Sequence, residues 1–192
     1  GAQGIQVGTA FALCAESGLD SELKAQLRRS AVQGGVDVYT DPVASPTGFP
    51  FKVARMPGTL GLDVVAAERP RCCDLGYLRE PYRKADGGIG YRCASEPVDN
   101  YARKGGLISE TVGRKCLCNG LFAALGMGQA QVSGYIEKPI LTMGDDVNHL
   151  RKLIRAGQNY SAEDVIRYLL EPVAEAEVEN VNRISTTAEV VL

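Results

Sequence analysis

The stretch Gly4-Ile5-Gln6-Val7-Gly8-Thr9 decides the fold that the sequence predicts. Apolar residues followed by a Gly-Thr pair predict a short buried strand that ends in a tight turn. Residues 10–16 predict a short helix after this turn, and Gly18 is expected to stop it. Strand, turn and helix in this order form the unit of an α/β barrel or of a doubly wound sheet.

A second helix is expected to follow, because Asp20 or Ser21 can cap it and Gly34-Gly35 can end it. Its apolar residues fall on one helical face: Leu23, Leu27 and Ala31. Residues 36–39 then predict a strand. Residues 40–51 contain several prolines and predict an ordered loop rather than a regular element.

The rest of the chain divides by its periodicity. Residues 57–106 show little hydrophobic periodicity. A stretch of that length without helices or strands is uncommon in a compact domain. Asp145 and Ser161 can each cap a helix, and Asp164 stands at the capping-box position after Ser161. The predicted units are the end of a barrel domain (1–56), an irregular Cys-containing extension (57–144), C-terminal helices (145–172) and a mobile tail (173–192).

Composition limits the classes of function. The 192 residues contain 21 Lys+Arg and 23 Asp+Glu, so charge gives no reason to expect nucleic acid or an anionic membrane as a partner. No apolar run approaches the length of a membrane-spanning helix, and no signal peptide opens the chain. The six cysteines then predict reduced thiols and a cytoplasmic protein. The sequence opens on Gly1 and leads straight into a strand-like segment, which favours a fragment of a longer protein or a processed or truncated chain. The sequence leaves open whether the protein forms a homo-oligomer.

The turn formed by Gln6, Gly8 and Thr9 is a candidate phosphate site. A strand that ends in Gly lets backbone N–H groups face outward, and the following helix N-terminus adds partial positive charge. Flavin phosphates commonly bind at the end of the last strand of a TIM barrel. The alternative is that Gly8 only permits a tight turn.

An ordered series of segments resembles one branch of the nitronate monooxygenase (formerly 2-nitropropane dioxygenase) family. The likeness runs from Gly1 to about Leu170. The segments are Gly1–Phe11, Tyr39–Pro42, Ser45–Lys52, Cys73–Leu78, Gly90–Cys93 and Gly113–Leu121.

This resemblance implies the C-terminal part of an α/β TIM barrel that binds FMN non-covalently. It implies an enzyme that oxidises alkyl nitronates with flavin and dioxygen. Gln6, Gly8 and Thr9 would contact the FMN phosphate, mainly through backbone groups, and the Thr47–Lys52 loop is a weaker candidate for lining the flavin or the substrate. The histidine base of such enzymes would lie upstream of Gly1, so no catalytic residue is expected in this chain and the chain alone is expected to be inactive. The single histidine, His149, is expected to be a solvent-exposed residue on a helix.

The cysteines in the irregular region predict either a metal site or buried free thiols. Four of them, Cys73, Cys93, Cys116 and Cys118, are candidate ligands for zinc or an iron–sulfur cluster. A metal would cross-link a segment that has few apolar positions. However, zinc sites usually have two Cys-x₂₋₄-Cys pairs, whereas here the only close pair has a one-residue spacer. Cysteine also packs readily as a small apolar residue.

Two further functions remain as alternatives. Flavin-type enoyl-acyl-carrier-protein reductases, including trans-acting forms in polyketide or polyunsaturated fatty acid synthesis, end their barrels in a similar way, and their small-molecule substrate would be an enoyl thioester instead of a nitronate. The chain can also be a non-catalytic, metal-stapled docking module, which would be colourless when pure.

Overall fold

The computed structural model of the chain describes residues 4, 6–154 and 159–171, and the predicted tail at 173–192 lies outside this part. Most elements are short, and two small antiparallel sheets lie among helices. In chain order the elements are α1 (Thr9–Ala12), α2 (Ser21–Gln33), β1 (Val38–Asp41), β2 (Phe51–Ala54), α3 (Asp63–Ala67), β3 (Glu80–Arg83), β4 (Ile89–Arg92), α4 (Val98–Arg103), α5 (Ile108–Thr111), α6 (Leu117–Ala124), a 3₁₀ helix (Asp145–Lys152) and α7 (residues 162–171).

Helix α2 forms as its sequence predicts. The Asp20 side chain accepts hydrogen bonds from the backbone N–H groups of Glu22 and Leu23, both at 3.0 Å, and so satisfies two N–H groups that the helix itself leaves free. Gly34 follows the last helical residue. The predicted apolar face is buried, since Leu27 and Ala31 are fully enclosed and Leu23 packs against the same core.

The strand predicted at residues 4–9 does not form in the described part of that stretch. Gly4 and residues 6–8 have no regular structure, and Thr9 is already the first residue of α1. A parallel strand needs a neighbouring strand to take up its backbone hydrogen bonds, and neither described sheet includes these residues. The barrel assignment therefore stays a prediction.

The strand expected at 36–39 forms as β1, two residues later than predicted. It pairs with β2 in an antiparallel hairpin in which Val38 faces Ala54 and Asp41 faces Phe51. The proline-rich stretch connects the two strands, as the sequence indicates. A hydrogen bond joins the end of β2 to a distant part of the chain: the Ala54 N–H donates to the Leu141 carbonyl at 2.9 Å.

The extension at 57–144 contains regular elements that the sequence did not predict, all of them short. A second antiparallel hairpin joins β3 to β4. Helices α3 to α6 are four to eight residues long, which is too short for a helical periodicity to stand out in the sequence.

The two predicted C-terminal caps have different outcomes. Ser161 and Asp164 form a reciprocal capping box, in which Asp164 accepts from the Ser161 backbone N–H at 2.8 Å and Ser161 Oγ accepts from the Asp164 N–H at 3.1 Å. The cap predicted at Asp145 is wrong, because the cap position belongs to Gly144 and Asp145 is the first residue of a 3₁₀ helix. None of the helices in the described ranges is both long and apolar enough to cross a membrane.

Two apolar clusters hold these elements together. The larger cluster joins α1 and α2 to the 3₁₀ helix and to α7, with Leu13, Leu27, Val147 and Val165 fully enclosed. The smaller cluster joins the first hairpin to α6 through Val53, Leu117 and Ile140. The first segment of the chain and its C-terminal helices therefore share one core.

Candidate functional site

The turn at Gly8–Thr9 is tied to the start of the 3₁₀ helix. Thr9 Oγ1 donates to Asp146 Oδ1 at 2.9 Å and accepts from the Gly144 backbone N–H at 3.1 Å. Because the Thr9 hydroxyl is engaged in both directions, Thr9 would meet a ligand mainly through its backbone.

The surface at Gly8 is open. Gly8 and Gln6 are exposed, and no atom lies within 4 Å of the place where a Cβ on Gly8 would stand. This open surface is compatible with a close approach of an anion to the backbone. Thr9 is buried, and the assignment of Gln6, Gly8 and Thr9 to an FMN phosphate stays a prediction.

The second candidate flavin segment, the Thr47–Lys52 loop, reaches the same part of the molecule. Lys52 Nζ pairs with the carboxylate of Asp145, and the Lys52 carbonyl accepts from the Met143 N–H at 3.1 Å. Asp145 is the neighbour of Asp146, which holds Thr9. The turn and the loop are thus joined through residues 143–146.

The four cysteines named from the sequence lie in one neighbourhood. The thiols of Cys73 and Cys93 interact, and each shifts the pKa of the other. Electrostatic contacts link Cys118 to Cys73, Cys116 to Cys93 and Cys116 to Cys118. Cys93 and Cys116 are buried, but neither belongs to an apolar cluster, whereas Cys14 packs in the larger one. Packing as a small apolar residue therefore describes Cys14 better than these two thiols.

The Cys73–Cys93 pair is electrostatically asymmetric. The hydrogen bond from Cys93 and the guanidinium of Arg79, whose Nε lies 3.4 Å from Cys73 Sγ, lower the pKa of Cys73 to about 6 although burial opposes this. The same sulfur contact, together with burial, raises the pKa of Cys93. The two shifts have opposite directions, so the negative charge is favoured on Cys73 rather than on Cys93.

Burial is the main influence on the pKa of the other two candidate ligands, Cys116 and Cys118. Burial raises the pKa of Cys116 to about 11 and also raises the pKa of Cys118. Nearby backbone groups oppose this effect and lower the pKa of three of the four thiols: Ser95 acts on Cys93, Asn119 on Cys116, and Tyr77 and Leu78 on Cys118. Across the described ranges, no group of three or more His, Cys, Asp or Glu side chains is arranged to hold a metal ion. The metal hypothesis stays a prediction.

His149 is exposed on the 3₁₀ helix, as expected for a solvated residue.

Buried ion pairs are features that the sequence analysis missed. Lys115 Nζ lies 2.6 Å from Asp41 Oδ2, and Arg69 Nη2 lies 2.6 Å from Glu137 Oε2. All four side chains are almost fully enclosed. The burial of Arg69 lowers its pKa, but the hydrogen bond and charge of Glu137 outweigh this effect and leave the pKa raised. Each pair joins residues more than sixty positions apart, and no local pattern indicates such a contact.

A basic cavity of about 420 Å³ adjoins these pairs. Its charged lining residues are Arg69, Arg71, Arg114, Lys115 and Asp63. Burial and the neighbouring Arg69 lower the pKa of Arg71. A second cavity, of about 340 Å³, is mostly apolar and lies between residues 17–19, α6 and residues 140–143. Neither cavity includes the turn at Gly8.

Comparison with known proteins found no matching family model, no matching curated protein and no matching solved structure. The functional interpretation therefore rests on the residues and on their geometry.

Proposed function

We propose that this chain is the C-terminal part of an FMN-dependent, nitronate monooxygenase-type enzyme that oxidises alkyl nitronates with dioxygen. In this proposal the exposed backbone at Gln6 and Gly8, with the adjacent Thr9, faces the FMN phosphate. The Thr47–Lys52 loop lines the flavin or the substrate. The observation that carries the proposal is the junction at residues 143–146, which brings these two candidate segments together although about forty residues separate them.

The contacts among the family-like segments add support. Lys115, from the Gly113–Leu121 segment, pairs with Asp41 of the Tyr39–Pro42 segment, and its backbone N–H donates to the Val43 carbonyl at 2.9 Å. Arg114 Nη1 donates to the carbonyls of Pro42 and Ser45 at 2.8 and 3.1 Å. Segments that resemble the same family in the same order thus also pack against one another, which is expected if they form one structural unit.

The residues present indicate which roles the flavin and this chain would each have in the reaction. A bound flavin would supply the redox chemistry. The residues of this chain would bind and orient it, because the open backbone at Gly8 offers N–H groups and Asp146 fixes Thr9 beside them. The family resemblance implies that the proton-abstracting base comes from a preceding part of the protein, and the exposed His149 is not assigned this role.

The experiment uses the full-length gene product that contains this chain, beside the 192-residue chain alone. We expect flavin absorbance and nitronate-dependent oxygen uptake from the longer protein. The chain alone is expected to bind FMN weakly, because a tight ligand needs most of its surface buried. NAD(P)H-dependent enoyl reduction without nitronate oxidation would instead identify the reductase alternative. A colourless full-length protein would contradict both flavin functions and favour the docking module.

A further inference from the structure

We propose that the cavity lined by Arg69, Arg71, Arg114 and Lys115 binds a phosphate group of a small-molecule ligand. The cavity measures about 420 Å³ and lies between α3 and the Gly113–Lys115 segment. This volume is within the range of small-molecule sites and exceeds what a bare phosphate would fill. It leaves room for an organic part of the ligand beside the apolar lining residues Val43, Ala66 and Ala67.

The first observation is an unpartnered buried donor on Arg69. Its side chain is 3% exposed, and Nε and Nη2 are taken up by Glu137. Nη1 has no hydrogen-bond partner within the part of the chain that the structure describes. A buried N–H without an acceptor costs free energy, and buried polar groups of this kind usually have a partner. Arg69 also lines the cavity, so its guanidinium adds positive charge to the place where an anion would bind.

The second observation is that two further guanidinium groups are held in place without a carboxylate. Arg71 donates to the backbone carbonyls of Ala94 and Thr111, and Arg114 donates to those of Pro42 and Ser45. Among the described residues, neither makes an ion pair. Their positive charges therefore remain available, while the backbone contacts fix their orientation in advance.

The nearby carboxylates are already engaged. Asp41 pairs with Lys115 inside the protein, and Asp63 at the rim of the cavity lies 3.2 Å from the same ammonium with its side chain 78% exposed. Glu110 is close enough to Arg114 to interact with it electrostatically, but its carboxylate accepts from Tyr101 and from the Leu107 N–H.

Phosphate fits this arrangement better than a carboxylate does. The guanidinium groups of Arg69, Arg71 and Arg114 already donate some of their N–H groups to protein oxygens, so a ligand would meet their positive charges and the remaining N–H groups. A phosphate offers more acceptor oxygens and more charge to several such groups at once than a carboxylate does. The residues involved are different from the turn at Gly8, so this inference does not depend on the proposed flavin chemistry.

The test titrates the full chain with inorganic phosphate and with inorganic pyrophosphate, against sodium chloride at matched ionic strength. Calorimetry and the melting temperature are the readouts. Both phosphate probes are expected to bind saturably and to raise the melting temperature above the chloride control. A melting temperature that follows ionic strength alone would overturn the proposal. Succinate that binds as tightly as phosphate would overturn the assignment to phosphate.

Three variants localise the binding. Ala67 lines the cavity and is exposed, so Ala67→Glu is tolerated by the fold and places a competing carboxylate among the arginines. Ala67→Glu is expected to weaken phosphate binding at least about tenfold. The control Ala67→Gln has a side chain of the same shape as glutamate but without the charge, and it is expected to bind phosphate like the wild type. Asp63→Asn removes the acidic rim and is expected to tighten binding, a gain that misfolding cannot produce. Equal binding by Ala67→Glu and Ala67→Gln, or weaker binding by Asp63→Asn, would overturn the proposal.

Discussion

The ammonium of Lys115 lies 2.6 Å from the carboxylate of Asp41, and the two side chains are 3% and 2% exposed. Asp41 ends β1, and Lys115 directly precedes the cysteine pair and α6. The contact therefore fastens the first hairpin to the thiol-containing part of the chain. Asp41 also accepts from the Val43 N–H at 2.8 Å, which shapes the turn after β1.

Breaking this pair is expected to destabilise the protein strongly. Lys115→Met leaves the Asp41 carboxylate buried without its counter-ion, and the expected loss is about 3–5 kcal/mol in the free energy of unfolding. Urea denaturation measures it. Lys52→Met is the matched control, because Lys52 also pairs with an aspartate, Asp145, but both side chains are more than half exposed. That change is expected to cost less than about 1 kcal/mol. Equal losses in the two variants would contradict the structural role of the buried pair.

The open surface at Gly8 predicts that a substitution there changes FMN binding without changing the stability of the protein. Gly8→Ala adds a methyl group where nothing lies within 4 Å, so the melting temperature is expected to stay close to that of the wild type. In the full-length protein the methyl group would stand between the backbone and the FMN phosphate, and FMN affinity is expected to fall about tenfold or more. Flavin fluorescence titration measures it. Gly34→Ala, also in open space, is the control that keeps FMN affinity. Unchanged affinity in Gly8→Ala would remove this turn from the flavin site.

The asymmetry of the thiols predicts selective alkylation of chelator-treated protein. The pKa of Cys73 is lowered to about 6, so its thiolate fraction and its reaction with iodoacetamide are expected to rise as the pH passes upward through that value and to level off near neutrality. Cys118 is similarly half-buried, but burial raises its pKa, and it is expected to react slowly at neutral pH. Peptide mass spectrometry after timed labelling compares the two. Arg79→Met should shift the Cys73 profile to higher pH, because it removes the cation at 3.4 Å. Faster labelling of Cys118 would show that the asymmetry is absent in solution.

The metal hypothesis predicts uptake of about one zinc ion or one iron–sulfur cluster per chain, with neighbouring sulfurs drawn to about 3.5–4 Å around a single zinc ion. Bound metal should then protect Cys73, Cys93, Cys116 and Cys118 from alkylation. Serine at any one of these positions is expected to reduce the metal content measured by elemental analysis. Cys72→Ser is the matched control, since Cys72 is adjacent in sequence but its sulfur contacts Asp74 and Gln131 instead. Metal-free protein with full labelling of all four thiols would refute the hypothesis.

Local signals in the sequence predicted local structure well. Asp20 caps α2, and Ser161 and Asp164 form their capping box, because each needs only side-chain and backbone groups within three residues of each other. The turn-rich stretch after Tyr39 also forms the connection that its composition indicates. The prediction at Gly4–Thr9 differs, since a strand requires a partner that the segment itself cannot provide.

The sequence by itself determined the caps at Asp20 and Ser161, the apolar face of α2 and the turn-rich connection after the first strand, because these follow from side-chain periodicity and from turn chemistry over a few residues. It also singled out the four thiols by residue type. Only the tertiary structure decided that Lys115 meets Asp41, that Arg69 meets Glu137, and that Arg71 and Arg114 line one cavity. Such contacts join residues that are far apart in the chain, so no local sequence pattern indicates them. Their strength depends on burial, because a low local dielectric makes a charged group without a partner costly.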